Sequence, residues 1–211
     1  MSNAFADIAF TPAVKAAQQR DGSRASYARN FEGGGDSVNQ RLGDDESHFI
    51  AQQRSFYMAT VSETGWPYVQ HRGGPRGFLK VLDEQTLAFA DFAGNRQLIS
   101  VGNLVHNDRV ALILVDYANR VRLKVLGHLQ MHDLAADATL ARQLHSTDYK
   151  ARPQRAMTIR VAGFDWNCPQ HIPMRIDAED VQRVLDERDA RIAALEQQLK
   201  AKSAAAAAAP S

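Results

Sequence analysis

The sequence predicts a mainly β protein. Mostly antiparallel strands form a small closed or partly open barrel, between N-terminal helices and a C-terminal heptad-patterned helix. Segments of strand character follow one another from residue 56, and turn residues such as those at 63–65 and 83–85 join several of them over short distances. Short connections favour antiparallel neighbours, and the number of strands suits a barrel better than a doubly wound sheet. Apolar residues at alternating spacings of three and four predict the final helix.

Residues 1–46 are predicted to be an extension that precedes the barrel domain at 47–176. Thr11 can cap a helix that begins at Pro12 and ends near Arg20. Three glycines at 33–35 then indicate a loop. A second helix is predicted at 44–54, and the strands begin directly after it.

The alternation of apolar with polar residues predicts the strands, and helical spacing predicts two more helices. Leu98, Val101 and Leu104 lie three apart, so a helix is predicted at 96–105 with Asn95 as its N-cap. Another helix is predicted at 135–145. The strands are predicted at 56–62, 67–72, 77–82, 86–92, 109–116, 121–131 and 156–166.

The predicted C-terminal helix at 177–203 has two open interpretations. Its apolar seam could form a short coiled coil between subunits, or the helix could lie along the barrel. Arg188 interrupts the seam, which favours a weak pairing supported by a dimer of barrels. The alanine-rich tail at 204–211 is predicted to be disordered.

Composition limits the classes of function. The chain of 211 residues has a formal net charge of +1, and no clustered basic face suggests nucleic acid or an anionic membrane as a partner. No apolar run reaches the roughly 20 residues that cross a bilayer, and no signal-peptide pattern begins the chain, so a cytoplasmic location is expected. The single cysteine, Cys168, excludes an internal disulfide and is expected to be a buried inert thiol.

The residues around 80 and 95 predict an anion site. Free N–H groups and the positive end of the dipole at the start of the predicted Asn95 helix favour an anion. Arg96 offers a fork of donors that matches phosphate, and Lys80 ends a neighbouring strand. The alternative is an ordinary strand-to-helix turn with solvated basic residues.

Between residues 49 and 175 the sequence resembles the pyridoxamine 5'-phosphate oxidase-like FMN-binding split-barrel family. Several separate stretches, in this order and spacing, carry the resemblance. They are Phe56-Tyr57-Met58-Ala59-Thr60-Val61, Gly65-Trp66-Pro67-Tyr68-Val69-Gln70, Gly77-Phe78-Leu79-Lys80, Leu87-Ala88-Phe89-Ala90-Asp91, Gly94-Asn95-Arg96-Gln97, Asn107-Asp108-Arg109-Val110-Ala111-Leu112 and Arg122-Leu123-Lys124-Val125-Leu126-Gly127.

The resemblance implies a homodimer that binds FMN at the subunit interface and performs flavin-mediated redox chemistry on an unidentified small molecule. The sequence departs from the oxidases at Ala90-Asp91, and Asp91 is a poor neighbour for a phosphate unless an arginine offsets it. No counterpart of the oxidases' substrate-phosphate pocket is evident in the sequence, so FMN binding is favoured over pyridoxamine phosphate oxidation. The implied cofactor-binding residues are Arg72, Gly73, Gly74, Phe78, Lys80, Asp91, Asn95, Arg96, Gln97, Arg122, Trp166 and Gln170, with no metal ligand.

Two segments allow a packing role or a cofactor role. Gly73 and Gly74 either relieve strain at a barrel corner or bring backbone close to the isoalloxazine ring. The segment 164–173 lies near the partner's flavin in the family architecture. There Trp166 either packs in the core or walls the ring, and His171 is the candidate for proton transfer.

Other chemistries remain as alternatives or are excluded. His128 and His132 lack an evident third ligand, so a zinc site is not expected. A haem-binding or haem-degrading protein could use the same barrel, with His71, His106 or His171 as axial ligand. The protein could also be a non-catalytic flavin or ligand sensor whose C-terminal helix binds a partner.

Overall fold

The computed structural model describes residues 2–33, 37–146, 149–167 and 169–207. Part of the predicted glycine loop (34–35), Cys168 and the end of the predicted tail (208–211) lie outside the described residues. The chain divides into two compact units, Met1–Asp116 with Val121–Gln170 and Tyr117–Arg120 with His171–Ser211.

The first unit contains every described strand and all but one of the described helices. In chain order these are β1 (Ser2–Asn3), α1 (Ala4–Ala9), α2 (Pro12–Asp21), α3 (Arg24–Phe31), β2 (Ser37–Val38), α4 (Asp44–Gln52), β3 (Ser55–Val61), β4 (Pro67–Gly73), β5 (Lys80–Asp83), β6 (Thr86–Phe92), α5 (Ile99–His106), β7 (Arg109–Asp116), β8 (Val121–His132), α6 (Ala138–Leu144) and β9 (Pro153–Asn167). The second unit contains α7 (Ala178–Ala207).

Seven strands form one sheet in the order β4-β3-β7-β8-β9-β6-β5, and each neighbouring pair is antiparallel. The short pair β1–β2 is parallel. The predicted class, mainly β and mostly antiparallel with helices at both ends, is confirmed.

The sheet is rolled into a barrel rather than flat. Arg72 in β4 and Asp91 in β6 form an ion pair at 2.5 Å, although β3, β7, β8 and β9 lie between these two strands in the sheet. At about 4.8 Å per strand, a flat sheet would separate them by roughly 24 Å. Rolling therefore joins the ends of β4 and β6 at one opening of the barrel.

The barrel interior is filled by apolar side chains from alternate positions of the strands. Phe56 stacks on Phe78 at 5.6 Å and meets Phe89 edge-on at 5.2 Å, and all three are buried. Each such side chain contributes about 1.5–3 kcal/mol by leaving water. The rings of Phe56, Phe78 and Phe89 therefore form a rigid aromatic floor beneath the mouth of the barrel.

The N-terminal extension packs against the barrel through backbone contacts. A Cβ at Gly163 in β9 would lie 2.7 Å from the Phe5 nitrogen and 2.9 Å from the Ala4 carbonyl carbon, so glycine permits α1 to approach β9. The Phe164 N–H donates to the Asn39 carbonyl at 2.8 Å. The extension therefore covers β9 directly.

Several element boundaries differ from the prediction, and two of the differences have a local cause. β5 begins at Lys80 rather than 77, because Gly77 has a φ of 74° and the Phe78 N–H closes a turn onto the Pro75 carbonyl. α5 begins at Ile99 rather than 96, because Leu98 has left-handed backbone angles. α7 continues to Ala207, four residues beyond the predicted end at 203.

Candidate functional site

The ends of β4 and β6 and the loop at 93–98 surround two adjoining cavities at one mouth of the barrel. Their volumes are about 50 and about 150 Å³. Four residues, Gln70, Arg72, Asp91 and Phe92, line both cavities. The two cavities therefore form one continuous site with a shared polar wall.

The loop from Asn95 to Leu98 forms the outer wall of the smaller cavity. The Asn95 Oδ1 accepts from the Gln97 N–H at 3.2 Å, while Arg96 and Leu98 have φ values of 60° and 57°. The predicted N-cap role of Asn95 is wrong, because its side chain closes this turn and Leu98 is the N-cap of α5. Since the Leu98 side chain accepts no hydrogen bond from the helix, the first backbone N–H groups of α5 remain available to solvent or to an anion.

Two polar contacts fix the start of α5 against the barrel. The Ser100 hydroxyl donates to the Gln70 Oε1 at 2.9 Å, and the Asn103 amide donates to the Thr60 hydroxyl at 2.9 Å. Ser100, Asn103 and Thr60 are buried. Each bond costs more to break than an exposed one, because it would leave buried polar groups unpaired. The helix N-terminus is therefore held in a defined position beside β4.

A cluster of two arginines and one carboxylate lies at the junction of the cavities. Asp91 binds Arg72 at 2.5 Å and Arg155 at 3.5 Å, and the exposed fractions of the three side chains are 8%, 12% and 22%. The Arg72 guanidinium lies 5.9 Å from the centroid of the Phe89 ring, and its buried Nε has no partner in the described part of the chain. Asp91 is thus offset by arginines, and the cluster keeps an excess of positive charge with one unused donor.

The larger cavity lies over the aromatic floor and is lined by His71, Gly73 and Phe78 among others. A packing role is clear for Gly74, because a Cβ there would lie 2.7 Å from two Phe78 side-chain atoms. The Gly74 N–H already donates to the Arg54 carbonyl at 3.0 Å. Gly73 therefore borders the cavity, while Gly74 supports Phe78.

Four of the cofactor-binding residues predicted in this unit, besides Gly74, are not among the described residues that line either cavity. Trp166 donates its ring N–H to Glu46 at 2.7 Å and meets Phe49 edge-on at 4.9 Å. These contacts support its core-packing role. The four residues are Lys80, Arg122, Trp166 and Gln170.

His171, the predicted proton-transfer residue, belongs to the second unit, where it is exposed with a φ of 63°.

Three of the other histidines contact local partners. His128 contacts Asp108 at 3.0 Å, and His132 contacts the Thr158 hydroxyl at 2.7 Å. His106 lies 3.2 Å from Glu63 on the surface. Among the described residues, no group of three or more His, Cys, Asp or Glu residues could hold a metal ion.

Sequence reasoning missed several residues of this site, among them Gln70, Ser100 and Arg155. Arg155 lies opposite Asp91 in the pairing of β6 with β9, and the predicted strand began one residue after it. Only the strand register brings it to the site, so no local pattern marks it. Ser100 and Gln70 are joined by a contact across 30 positions.

The chain is thus an antiparallel barrel protein whose mouth combines excess arginine charge with uncapped helix amides. Residues 43–164, more than half of the chain, match the family described as Pyridoxamine 5'-phosphate oxidase. The protein belongs to this family. No curated protein matches the chain.

Several solved structures are similar to this chain at low sequence identity. A putative pyridoxamine 5'-phosphate oxidase from Lactobacillus delbrueckii is 19% identical, with 61% of this chain and 96% of that chain covered and a TM-score of 0.47. An FMN-binding protein from Syntrophomonas wolfei is 14% identical, with coverages of 72% and 95% and a TM-score of 0.45. HupZ from Group A Streptococcus is 14% identical, with coverages of 64% and 100% and a TM-score of 0.45. Within the described part of this chain, no helix has the length and apolar character needed to cross a membrane.

Proposed function

We propose that the protein is an FMN-dependent oxidoreductase that acts on a small molecule as a homodimer. The observation that carries this proposal is the convergence of seven of the twelve cofactor-binding residues inferred from the sequence on two adjoining cavities. The single cysteine fits the cytoplasmic location that the sequence predicts. The seven residues are Arg72, Gly73, Phe78, Asp91, Asn95, Arg96 and Gln97.

The loop and the start of α5 would hold the phosphate of FMN. Arg96 is exposed at the rim of the smaller cavity, where its guanidinium can turn toward an anion. The uncapped amides of α5 supply further donors, and the Ser100–Gln70 bond fixes their position. A dianion bound here would also be attracted by the excess charge of the Arg72–Asp91–Arg155 cluster.

The larger cavity would receive part of the isoalloxazine ring. Phe78 supplies an apolar surface, Gly73 adds no side chain, and Arg72 can offer its unused Nε–H to a polar ring edge. When bound, FMN would supply the capacity to accept and return a hydride or single electrons. The chain would orient the ring and, through Arg72, stabilise negative charge on it.

A second copy of the chain would complete the site. Both cavities are smaller than the roughly 300 Å³ at the low end of ligand pockets. The outer faces of β3 and β4 present exposed apolar side chains suited to a subunit interface; Tyr57 is 41% exposed and Val69 is 60% exposed. As the family resemblance implies, Lys80, Arg122, Gln170 and His171 are proposed to act at this shared site, with His171 as the proton-transfer group, while Trp166 packs in the core.

Comparison of FMN with riboflavin, which lacks the phosphate, tests the phosphate assignment. Arg96→Ala is expected to weaken FMN binding by about 10-fold to 100-fold, because a hydrogen bond to a charged group contributes about 1.5–3 kcal/mol. Riboflavin affinity should not change. Arg142→Ala, which removes an exposed arginine of α6 that contacts Thr139, is the matched control and should leave both affinities unchanged.

Equal losses of FMN and riboflavin affinity in Arg96→Ala would contradict the phosphate assignment. The absorbance spectrum and the mass of the ligand released from the purified protein test the cofactor itself. A Soret band would support haem instead. Anaerobic reduction of the bound flavin by NADH or NADPH tests the enzyme assignment, and bound flavin without turnover by any donor would favour a sensor.

A further inference from the structure

Helix α7 carries an apolar stripe that is largely exposed to solvent. It is formed by Val181, Leu185, Ile192, Leu195 and Leu199. Of residues 178–203, whose side chains are described, only Asp180 and Leu185 are half-buried. Ile192 and Leu195 are each 46% exposed, and Leu199 is 67% exposed. A 30-residue helix is about 45 Å long, and isolated helices gain little stability without packing of such a stripe. The stripe itself runs from Val181 to Leu199, about 27 Å along the helix, and it requires a partner surface of that length.

The spacing of the stripe is that of a coiled coil. Its residues alternate spacings of three and four, which corresponds to the a and d positions of successive heptads. Leu185, Ile192 and Leu199 occupy a positions, and Val181 and Leu195 occupy d positions. A partner helix with the same repeat would bury the whole stripe by inserting these side chains between those of its own seam.

The charges beside the stripe favour a second copy of the same helix in a parallel arrangement. Arg191 occupies a g position and Glu196 the e position of the following heptad. In a parallel, in-register pair these two positions face each other across the interface, so two Arg191–Glu196 ion pairs form by symmetry. An antiparallel pair would instead bring e positions together, and Asp189 and Glu196 would repel.

Arg188 is the polar residue of the seam. It occupies a d position, and its guanidinium lies 3.5 Å from Asp189 of the same helix. A charged core position lowers the stability of a coiled coil but restricts its register and orientation. In a parallel pair each Arg188 lies beside the e position of the second helix, where Asp189 offsets its charge. Pairing by α7 alone is therefore weak but specific.

We infer that α7 pairs with α7 of a second copy as a parallel, in-register, two-stranded coiled coil, oriented by Arg191 and Glu196 and limited in affinity by Arg188. This interface is separate from the proposed flavin site. It would place the two copies around one symmetry axis. The occupant is a second copy because the stripe and both flanking charges are self-complementary.

Disulfide cross-linking of the full-length protein tests this arrangement. Cys168 is first replaced by serine, so that a new cysteine is the only thiol. Leu195→Cys, at a d position, is expected to cross-link most of the protein as dimers under mild oxidation. Ala190→Cys, at an f position on the opposite face, is the matched control and should remain uncross-linked. An antiparallel pair, or a helix covered by its own barrel, would give no dimer from Leu195→Cys and would overturn the inference.

Charge exchange tests the orientation independently. In the Leu195→Cys background, Arg191→Glu is expected to slow cross-linking about threefold or more, because two attractive pairs become repulsive. Combining it with Glu196→Arg should restore the original rate. Arg188→Leu should strengthen dimer formation by about tenfold or more, because it replaces a charge in the seam. If the double variant does not recover the original cross-linking rate, the Arg191–Glu196 pairing is contradicted. FMN affinity should be unchanged in all these variants, so the outcome of this test does not depend on the proposed flavin site.

Discussion

Replacing Asp91 with asparagine should destabilise the fold far more than an ordinary ion-pair variant. The Asp91 side chain is 8% exposed and pairs with two arginines, of which Arg72 is 12% and Arg155 is 22% exposed. An asparagine side chain would keep the shape of the aspartate but would leave both guanidinium groups without a counter-charge. Removing one partner of a buried pair costs about 3–5 kcal/mol, and the partial exposure of Arg155 reduces our expectation to about 2–4 kcal/mol.

Because Asp91 has two arginine partners, replacing Arg72 should cost less stability than replacing Asp91. Arg72→Leu should cost less, about 1–2 kcal/mol, because Arg155 remains beside Asp91 at 3.5 Å. The double variant Arg72→Leu with Asp91→Leu should be less destabilised than the sum of its single variants, by about 1–2 kcal/mol. The coupling arises because the second substitution removes a charge that the first one left unpaired.

Urea denaturation and thermal unfolding measure these differences. A loss of about 2–4 kcal/mol corresponds to a fall in Tm of about 5–15 °C for a chain of this size. Asp108→Asn is the matched control, since Asp108 pairs with His128 at 3.0 Å but is 56% exposed, and it should cost less than about 1 kcal/mol. If Asp91→Asn costs no more than this control, or if the double variant equals the sum, the cluster does not stabilise the barrel mouth as argued.

Two further predictions concern the N-terminal extension and the far end of β9. Gly163→Ala should lower the free energy of unfolding by about 1–3 kcal/mol, because the new Cβ would meet backbone atoms of α1. Gly102→Ala is the control: the space around its Cβ is open, so it should leave stability unchanged or raise it by up to about 1 kcal/mol. Urea denaturation measures both variants, and equal effects would contradict the close approach of α1. Burial raises the pKa of Asp165, and the charge of Lys124 only partly lowers it again. The Asp165 carboxyl group therefore holds its proton more tightly in the folded protein than in the unfolded chain. Stability should therefore fall as the pH rises from 3.8, the ordinary pKa of an aspartate, through the raised pKa of the folded state. Asp165→Asn should lose this pH dependence, and an unchanged pH profile of unfolding would refute the cause.

The regular elements could be predicted because their patterns are local. The strands β6 and β7 have the predicted bounds of 86–92 and 109–116, since alternation and flanking turn residues mark both ends. The helices α1 and α3 were not predicted, because they are six and eight residues long and carry little periodicity. Tertiary contacts support them instead, such as the approach of α1 to Gly163.

Residues that line the cavities were inferred from several segments of the sequence, and the loop at 95–97 is marked most clearly by its local pattern. Asn95, Arg96 and Gln97 are neighbours in the chain, and their polarity after a strand marks them. Asp91 was inferred from the sequence, but its ion-pair partners required the structure, because Arg72 and Arg155 are 19 and 64 positions away. The contact of Trp166 with Glu46 spans 120 positions, so sequence reasoning could not choose between core packing and ring stacking.

The conformation of the loop at 93–98 connects the fold to the proposed chemistry. Arg96 and Leu98 have left-handed backbone angles that cost non-glycine residues about 1–2 kcal/mol each. Such angles persist only when neighbouring contacts hold them, and the Asn95 turn and the Ser100–Gln70 bond provide those contacts on either side. The left-handed turn at Leu98 is also what ends the loop and starts α5 without a side-chain cap. The strain and the uncapped amides therefore have one structural origin, and a phosphate bound there would satisfy donors that this turn leaves unused.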